Sequence, residues 1–399
     1  MRDINIRVFA IEPLTPLMFR KPKPFELGDL AESNLYPSPA TIAGMIRSVI
    51  WEALDRSFNP QSLIEDSKFT GVIRKDNRIE STYNFEWRLI GPYLQKINGD
   101  NAGIYYPAPT DIFIHEETND VIMPDINSMK ELSNLLNADG GFIPNINDKN
   151  ILQDLLRFKL KSVSGKFIHI DDLRAILNHK SPRQIRLASF DDILERKREA
   201  HIALDHEHKT LIFTSTGKGL YFTTSKIVLK RDWRFIFGVI TLNNEIDNYF
   251  DHLNGKIARF GGEGGYVRIH EIEVELIEHD YIKKGLLCKP LPTPVKLTLT
   301  SPAVFLDNTD YNIVWPWIIK NNNVYRPNYY AIKQVLVSGW DYISNKPKPL
   351  HIGIDAGSVY YYEVLPKDIT YYDIIVKRIH VAENFRGAYG STLVDIKGE

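Results

Sequence analysis

Ser38-Pro39-Ala40-Thr41-Ile42-Ala43-Gly44-Met45-Ile46-Arg47-Ser48-Val49-Ile50 is the stretch from which the fold can be read. Ser38 is a hydroxyl N-cap, and Pro39 takes the first helical position, where a missing N–H costs nothing. Ile42, Met45, Ile46, Val49, Ile50, Ala53 and Leu54 then recur at helical spacing. The pattern predicts an amphipathic helix over 38–56. Upstream, Ile4, Ile6, Val8 and Ala10 alternate with Asn5, Arg7 and Phe9, the period of a strand. A loop through Pro13, Pro16, Pro22 and Pro24 joins strand to helix.

Downstream, residues 57–200 lack a clear period. They mix Tyr105-Tyr106, the turn signals Asn98-Gly99 and Asp139-Gly140-Gly141, and two helix candidates near 129–137 and 171–177. An irregular stretch of this length is anomalous inside a compact domain and reads as an inserted subdomain over about 57–215. Regularity returns at Gly219-Leu220-Tyr221-Phe222. Trp233 to Leu242 reads as a buried strand and Glu245 to Leu253 as a short helix. After a Gly-rich loop, Val267 and Ile269 take one parity and Ile272, Val274 and Leu276 the other. That change predicts a β-bulge, with Glu271, Glu273 and Glu275 toward solvent.

With the insertion set aside, the order is strand, helix, strand, strand, helix, strand. This is the split βαβ order of an α+β, ferredoxin-like (RRM-like) domain, here spanning 1–285. Leu291-Pro292-Thr293-Pro294 reads as a linker to a second ferredoxin-like domain over 290–399. There Val295, Leu297 and Leu299 alternate, and the strand runs into Ser301-Pro302-Ala303-Val304-Phe305, as the first ran into Thr15-Pro16-Leu17-Met18-Phe19. Gly387 and Gly390 precede a closing strand at Leu393, Val394 and Ile396. A shared opening and a shared close point to an internal repeat.

A length of 399 residues suits two or three domains. A chain of this size buries about three quarters of its surface. With 43% apolar and 25% charged residues it is neither disordered, collagenous nor a simple coiled coil. Lys plus Arg is 49 and Asp plus Glu is 50. That balance excludes a strongly basic nucleic-acid coat but leaves room for a local basic face. Cys288 is the single cysteine, so no intramolecular disulfide or CxxC metal site can form, and a reducing compartment is expected. The longest apolar run, Phe235 to Leu242, is too short for a bilayer. Met1-Arg2-Asp3 leads directly into a strand pattern rather than a signal peptide. The expectation is a cytoplasmic protein with no membrane contact.

Arg259-Phe260-Gly261-Gly262-Glu263-Gly264-Gly265-Tyr266-Val267-Arg268 is the first chemical candidate. Consecutive glycines let backbone N–H groups, here those of Gly261 and Gly262, approach a phosphate, and Arg259 and Arg268 bracket them with charge. The competing reading is a tight turn that needs positive φ. The loop lacks the Gly-Lys-Ser/Thr ending of a Walker loop, and it opens a strand rather than the helix of a dinucleotide fingerprint. In the second loop, Asn384-Phe385-Arg386-Gly387-Ala388-Tyr389-Gly390-Ser391-Thr392, Arg386 could meet phosphate and Tyr389 could stack on a base, or the segment is an ordinary turn. The basic run Arg20-Lys21-Pro22-Lys23 faces a helix start whose free N–H groups near Ser38 and Thr41 favour an anion. Arg47 lies off the apolar stripe, so it is free to bind.

Glu195-Arg196-Lys197-Arg198-Glu199 leads into His201, Asp205, His206, Glu207 and His208. His206 and His208 would share a strand face, but no third ligand follows at metal spacing, so the segment reads as a hydrated hairpin tip. His279-Asp280 has no companion ligands for a phosphohydrolase. No Gly-x-Ser-x-Gly elbow occurs, and no histidine precedes His115. No catalytic set, metal or cofactor is expected. Trp315, Trp317, Trp340 and Tyr360-Tyr361-Tyr362, near Lys346 and Lys348, read mainly as core, with some left for a stacking or partner surface.

Several segments together resemble a known family. Glu12-Pro13-Leu14 to Phe19-Arg20 and Tyr36-Pro37-Ser38-Pro39-Ala40-Thr41-Ile42-Ala43-Gly44 resemble the opening of the third RAMP subunits of the type III-B CRISPR effector, the Cmr complex. Phe167 to Leu177 resembles the family's middle Asp-Leu segment. Arg198 to Asp205 with Gly219-Leu220-Tyr221, Phe260-Gly261-Gly262-Glu263, and Val337-Ser338-Gly339-Trp340-Asp341 through Lys346-Pro347-Lys348 to Ala356-Gly357-Ser358-Val359-Tyr360 follow in family order. Gly264-Gly265 stands where two arginines are frequent, and Ala200-His201 where Gly-Ile is usual. The resemblance implies two ferredoxin-like domains and a non-catalytic RNA-binding subunit. Such a subunit holds the 5′ repeat-derived tag of a guide RNA and bridges the large polymerase/cyclase-like subunit to the backbone RAMP subunit. It implies target RNA near the tag and a thumb hairpin entering the guide–target duplex. On this reading Arg20, Lys21, Arg47, Arg198, Arg259 and Arg268 belong to an RNA surface, with Arg386, Gly387, Tyr389 and Gly390 of the second loop. A RAMP endoribonuclease processing repeat RNA, and a protein-only scaffold, are the alternatives.

Overall fold

The structure is a computed structural model. It describes residues 4–21, 30–55, 59–75, 78–123, 160–202, 204–205, 210–211, 221–305, 318–320, 323–341 and 346–396. The helix expected near 129–137, His206, His208, Gly219, Leu220, Trp315 and Trp317 lie outside the described residues.

Strand β1 (Asn5–Pro13) is followed by helix α1 (Pro39–Ala53), strands β2 (Trp87–Lys96), β3 (Gly103–Pro107) and β4 (Phe167–His169), helix α2 (Ile170–Leu177) and strand β5 (Leu187–Ala188). Strands β6 (Leu194–Ile202) and β7 (Tyr221–Leu229) form a ribbon. Strand β8 (Trp233–Thr241) leads through helical turns at Asn244–Asp247 and Asn248–Leu253 to the hairpin of β9 (Ile257–Arg259) and β10 (Tyr266–Glu271). Helix α3 (Ile277–Lys283), strands β11 (Val295–Leu299), β12 (Tyr329–Ala331) and β13 (Val359–Tyr362), helix α4 (Tyr371–Ile375) and strand β14 (Thr392–Val394) follow.

The main sheet runs β5-β4-β3-β2-β8-β1-β10-β9, with every neighbouring pair antiparallel. Helix α1 starts as its sequence predicts, with the Ser38 side chain accepting from the Thr41 N–H at 3.2 Å. Ile42, Met45, Ile46, Val49 and Ile50 are buried in the core. Each contributes about 1.5–3 kcal/mol by leaving water. On the sheet, Phe9 and Phe237 are cross-strand partners stacked at 5.4 Å, and Phe250 closes on Phe9 at 6.5 Å.

The second sheet runs β12-β13-β11-β14, also antiparallel. Its order matches the central order β2-β8-β1-β10 of the main sheet: in each, the first strand of the set lies between the third and the fourth. The resemblance between the halves extends to the Gly loops. The Gly262 N–H donates to the Met18 carbonyl and the Gly390 N–H to the Pro302 carbonyl, both at 2.8 Å, each on the segment that follows its own opening strand.

Two strands sit elsewhere than the sequence predicts. Strand β2, inside the span expected to be inserted, occupies the second position of the core, and β3, β4 and β5 extend the same sheet. Trp87 to Leu94 are buried throughout, so they carry no period. Pro92 also interrupts the run, in a bulge where the register shifts opposite Phe237. Strand β7, expected in that core position, instead pairs with β6 and lies parallel to Leu30–Asn34, in a four-stranded sheet finished by Phe19–Arg20. The parity change after Glu271 marks the end of β10, not a bulge: the Ile272 N–H donates to Val8 and the chain turns into α3.

Buried polar contacts join the halves. Tyr83 N–H donates to Asn384, Gly387 N–H to Tyr83 and Leu89 N–H to Gly387, at 2.8, 2.6 and 2.8 Å. Within the first half the Tyr93 and Tyr106 hydroxyls donate to Glu278 at 2.6 and 3.0 Å, and Tyr93 reaches across to Thr300 Oγ1 at 2.8 Å. Burial pushes the Glu278 carboxyl up. Lys296 Nζ lies 2.5 Å from Asp111, which the Tyr361 hydroxyl also reaches.

Lys348 enters the same seam with its ammonium 4.0 Å from the centre of the Tyr83 ring. Burial, aided by repulsion from Arg47, pushes its pKa down to about 7 from 10.5. Between those values the unfolded chain holds a proton that the folded chain has released, so this lysine makes stability rise with pH. Wild-type Tm should climb more steeply from pH 7 to 9 than that of Lys348→Met, measured by calorimetry; parallel profiles would show that Lys348 stays charged in the fold.

Candidate nucleic-acid interface

The hairpin of β9 and β10 forms the edge of the main sheet next to β1. Its side chains alternate cleanly. Ala258, Val267 and Ile269 are buried, while Ile257, Arg259, Tyr266, Arg268 and His270 stand on the opposite face. Arg259 is the cross-strand partner of Tyr266, and Ile257 that of Arg268, which in turn opposes Glu12 on β1. Arg268 reaches Glu12 at 3.9 Å and His270 reaches it at 3.5 Å. Such an exposed pair is worth about 0–1 kcal/mol, little enough for a phosphate to replace the carboxylate.

The connecting loop is glycine-rich for mostly structural reasons. Gly261 has φ +80°, and a Cβ there would sit 2.4 Å from the Met18 carbonyl oxygen. Gly264 also has positive φ, and a Cβ on Gly265 would sit 2.5 Å from the Phe260 oxygen. Gly262 has open space, but its N–H, expected on a phosphate, is taken by Met18.

That docking places the loop beside the four-stranded sheet. Bridges Met18–Gly262 and Leu17–Ile227 tie the segment before Arg20 to the hairpin and to β7. Arg20 is exposed, and Lys21 pairs with Glu32. Arg198, Ser225 and Glu32 form one row across β6, β7 and Leu30–Asn34. Lys197 and Lys226 oppose each other on the ribbon, and both pair with Glu199, which they hold below its usual carboxylate range. Arg259 and Arg268 share the outer face of the hairpin, Arg198 lies in the row of Glu32, and Arg20, paired with Ser33, lies on the other face of that sheet. Tyr266 joins Arg259 and Arg268 without having been singled out in the sequence. The signal for Tyr266 was its parity with Arg268, opposite to Val267 and Ile269.

Other candidates lie away from this surface. Arg47 turns inward: its guanidinium donates to the Thr70 carbonyl at 2.6 Å, lies 5.2 Å over the Phe85 ring, and is held below its usual pKa by burial. The expectation that it is free rested on its angle from the helix stripe, and Thr70, Tyr83 and Phe85 cover that angle. Ser38 and Thr41 cap each other, with hydroxyls 3.0 Å apart. Tyr389 is 1% exposed, packed edge-on against Tyr83 and Phe385, with its hydroxyl beside Ser38. Arg386 Nε donates to Val381, and Gly387 and Gly390 are buried. The second Gly loop is thus an internal joint, and a base cannot stack on Tyr389.

His201 and His279 have structural partners. His201 Nε2 is 2.9 Å from the Thr224 hydroxyl, and His279 Nδ1 accepts the Leu276 N–H at 3.0 Å. Asp280 pairs with Arg174 at 2.7 Å. Among the described residues, no group of three or more His, Cys, Asp or Glu could hold a metal, and no helix is long and apolar enough to cross a membrane. Trp340 is about half exposed, opposite Pro347, whereas Lys348 is in the seam described above.

A family model described as "CRISPR-associated protein (Cas_Cmr3)" matches residues 9–371. The chain is therefore a component of a CRISPR effector. It belongs to the Cas_Cmr3 family, the third subunits of type III-B Cmr complexes. Among solved structures, it is similar to a chain of the type III-B Cmr-beta complex bound to cognate target RNA and AMPPnP, with 17% identity over 89% of this chain and 86% of that one, TM-score 0.45. A chain of the Csm3-Csm4 subcomplex of a type III-A interference complex matches with 12% identity over 90% and 94%, TM-score 0.38. One from the Csm1-Csm4 cassette in complex with cA4 matches with 13% identity over 90% and 87%, TM-score 0.32. No curated protein matches the chain.

The two Gly loops should separate by substitution. Gly387→Ala would bring a Cβ to 2.2 Å from the Tyr83 carbonyl oxygen and should lower Tm by several degrees. Gly262→Ala, whose nearest neighbour would be 3.9 Å away, should stay within about 0.5 kcal/mol of wild type by denaturant titration.

Proposed function

We propose that this chain is a non-catalytic RNA-binding subunit that holds the 5′ repeat tag of the guide RNA. In the same assembly it bridges the large polymerase/cyclase-like subunit to the backbone RAMP subunit, with target RNA passing near the tag. The observation that carries the reading is the outer face of the edge hairpin, where Arg259 and Arg268 flank exposed Tyr266 and the connecting loop is docked on Met18, two residues before Arg20. Cations on a rigid sheet edge suit phosphate contacts, which fix the register of a nucleic acid without reading its sequence. The shared strand order of the two sheets supports two ferredoxin-like domains, 1–285 and 290–399, the first carrying extra strands and the ribbon β6–β7. Net charge near zero fits a subunit with large protein interfaces and one local RNA face. The cytoplasm is the matching compartment.

The non-catalytic reading is supported by the side chains themselves. His201 is engaged by the Thr224 hydroxyl and His279 by the Leu276 N–H at the start of α3, contacts that fit structural roles for both.

Gel shifts with tag-bearing RNA at two salt concentrations test the RNA role. Arg259→Ala should weaken binding alike for every tag sequence and flatten the salt slope by about one. Tyr389→Ala should melt earlier and, while folded, bind normally. Unchanged affinity on replacing both Arg259 and Arg268 would leave a protein-only scaffold. Clean cleavage of repeat RNA without metal would replace the non-catalytic reading with that of a RAMP endoribonuclease.

A further inference from the structure

We infer that Tyr266 is a base-stacking platform at the edge of the main sheet, built to take one unpaired base of a single-stranded RNA between flanking arginines. The inference rests on the RNA-binding reading above and names the group that would grip a base rather than a phosphate.

Tyr266 is 38% exposed, an unusual position for a large aromatic in a chain that buries most of its rings. It opens β10 on the face opposite buried Val267. Its backbone is fixed on both sides: the Tyr266 N–H donates to Thr15 Oγ1, and its carbonyl accepts the Leu14 N–H, both at 2.9 Å. The ring therefore stands on a rigid edge rather than a loop tip, so little order is lost when a ligand covers it.

Its neighbours are of the right chemistry. Arg259 is directly opposite on β9, about 5 Å away in strand spacing, and Arg268 is two residues on, about 7 Å along the same strand. Leu14, 42% exposed, and Ile257, 56% exposed, add apolar surface beside the ring. The acidic groups on this face are Glu12, already paired with Arg268, and Glu263 at the loop tip. A π-face with a cation on two sides suits a nucleotide, because the base covers the ring while the phosphates before and after it meet the guanidinium groups.

The probe is single-stranded repeat-tag RNA carrying 2-aminopurine at successive positions, bound to the full-length protein. Wild type should quench one position strongly. Tyr266→Ala should lose that quenching and bind about 10- to 100-fold more weakly with an unchanged salt slope, and Tyr266→Phe should restore both. Arg259→Ala reads the phosphate contact in parallel. If it weakens binding while Tyr266→Ala neither binds more weakly nor loses quenching, the stacking inference is overturned and the RNA reading stands. If neither variant changes binding, both fall. Equal losses in Tyr266→Ala and Tyr266→Phe would place the hydroxyl, not the ring, on the RNA and overturn stacking as well.

Discussion

Three backbone hydrogen bonds between residues 83–89 and 384–387 hold the two halves of this protein together, and a buried arginine secures them. Arg378 is wholly buried. Its guanidinium donates to the Tyr389 carbonyl at 2.8 Å, to that of Arg386 at 3.2 Å, and to that of Leu89 across the seam. Burial, aided by repulsion from Arg88, pushes its pKa down to about 9, and the nearby Glu278 opposes that drop. A charge in such a place gives little net stability, but removing its acceptors would strand it, so the loop that supplies two of them cannot drift. Arginine suits the task because its rigid fork addresses several carbonyls at once.

This constraint decides what the second half can offer. Because Gly387 touches Tyr83 and Phe85 and Tyr389 fills the gap beside α1, the helix start that looked open to an anion is covered by protein. The sequence reading found the loop but could not see its partner, since the residues that cover it lie some 300 positions earlier. Arg47 illustrates the same limit. Helical geometry correctly places it off the stripe of Ile42, Ile46 and Ile50, but Thr70, Tyr83 and Phe85 bury that side too.

The fold was legible where one face of an element is wet. Helix α1, with its Ser38 cap and single apolar stripe, and the start of β1, where buried Ile6 and Val8 alternate with Asn5 and Arg7, were readable, although Phe9, Ala10 and Ile11 are buried on both faces. Strand β2 was not, because burial on both faces erases the period that distinguishes a strand. The internal repeat was readable for a different reason: the Pro-containing exit from the opening strand and the closing Gly loop meet in each half, through Gly262 on Met18 and Gly390 on Pro302. Residues under that mutual demand are restricted together, so they stand out in sequence even at low overall similarity.

The equivalence of the two loops ends at their surroundings, and that asymmetry leaves Arg259 and Tyr266 beside the first loop exposed, while Tyr389 of the second is buried. In the first half the loop joins the last two strands at one edge of the main sheet, and among the described residues no strand pairs beyond β9. In the second half the corresponding loop faces the 83–89 segment of its neighbour. Two stacked copies of one fold cannot both keep this corner free when one corner is the joint between them. The glycines of the buried copy serve close approach, and Arg386 beside them is turned to Val381. The exposed copy needs its glycines for the turn itself, and the flanking Arg259, Tyr266 and Arg268, carried on strands rather than in the loop, are left facing outward. On the proposed RNA-binding reading, recognition falls to the residues that frame the glycines rather than to the glycines.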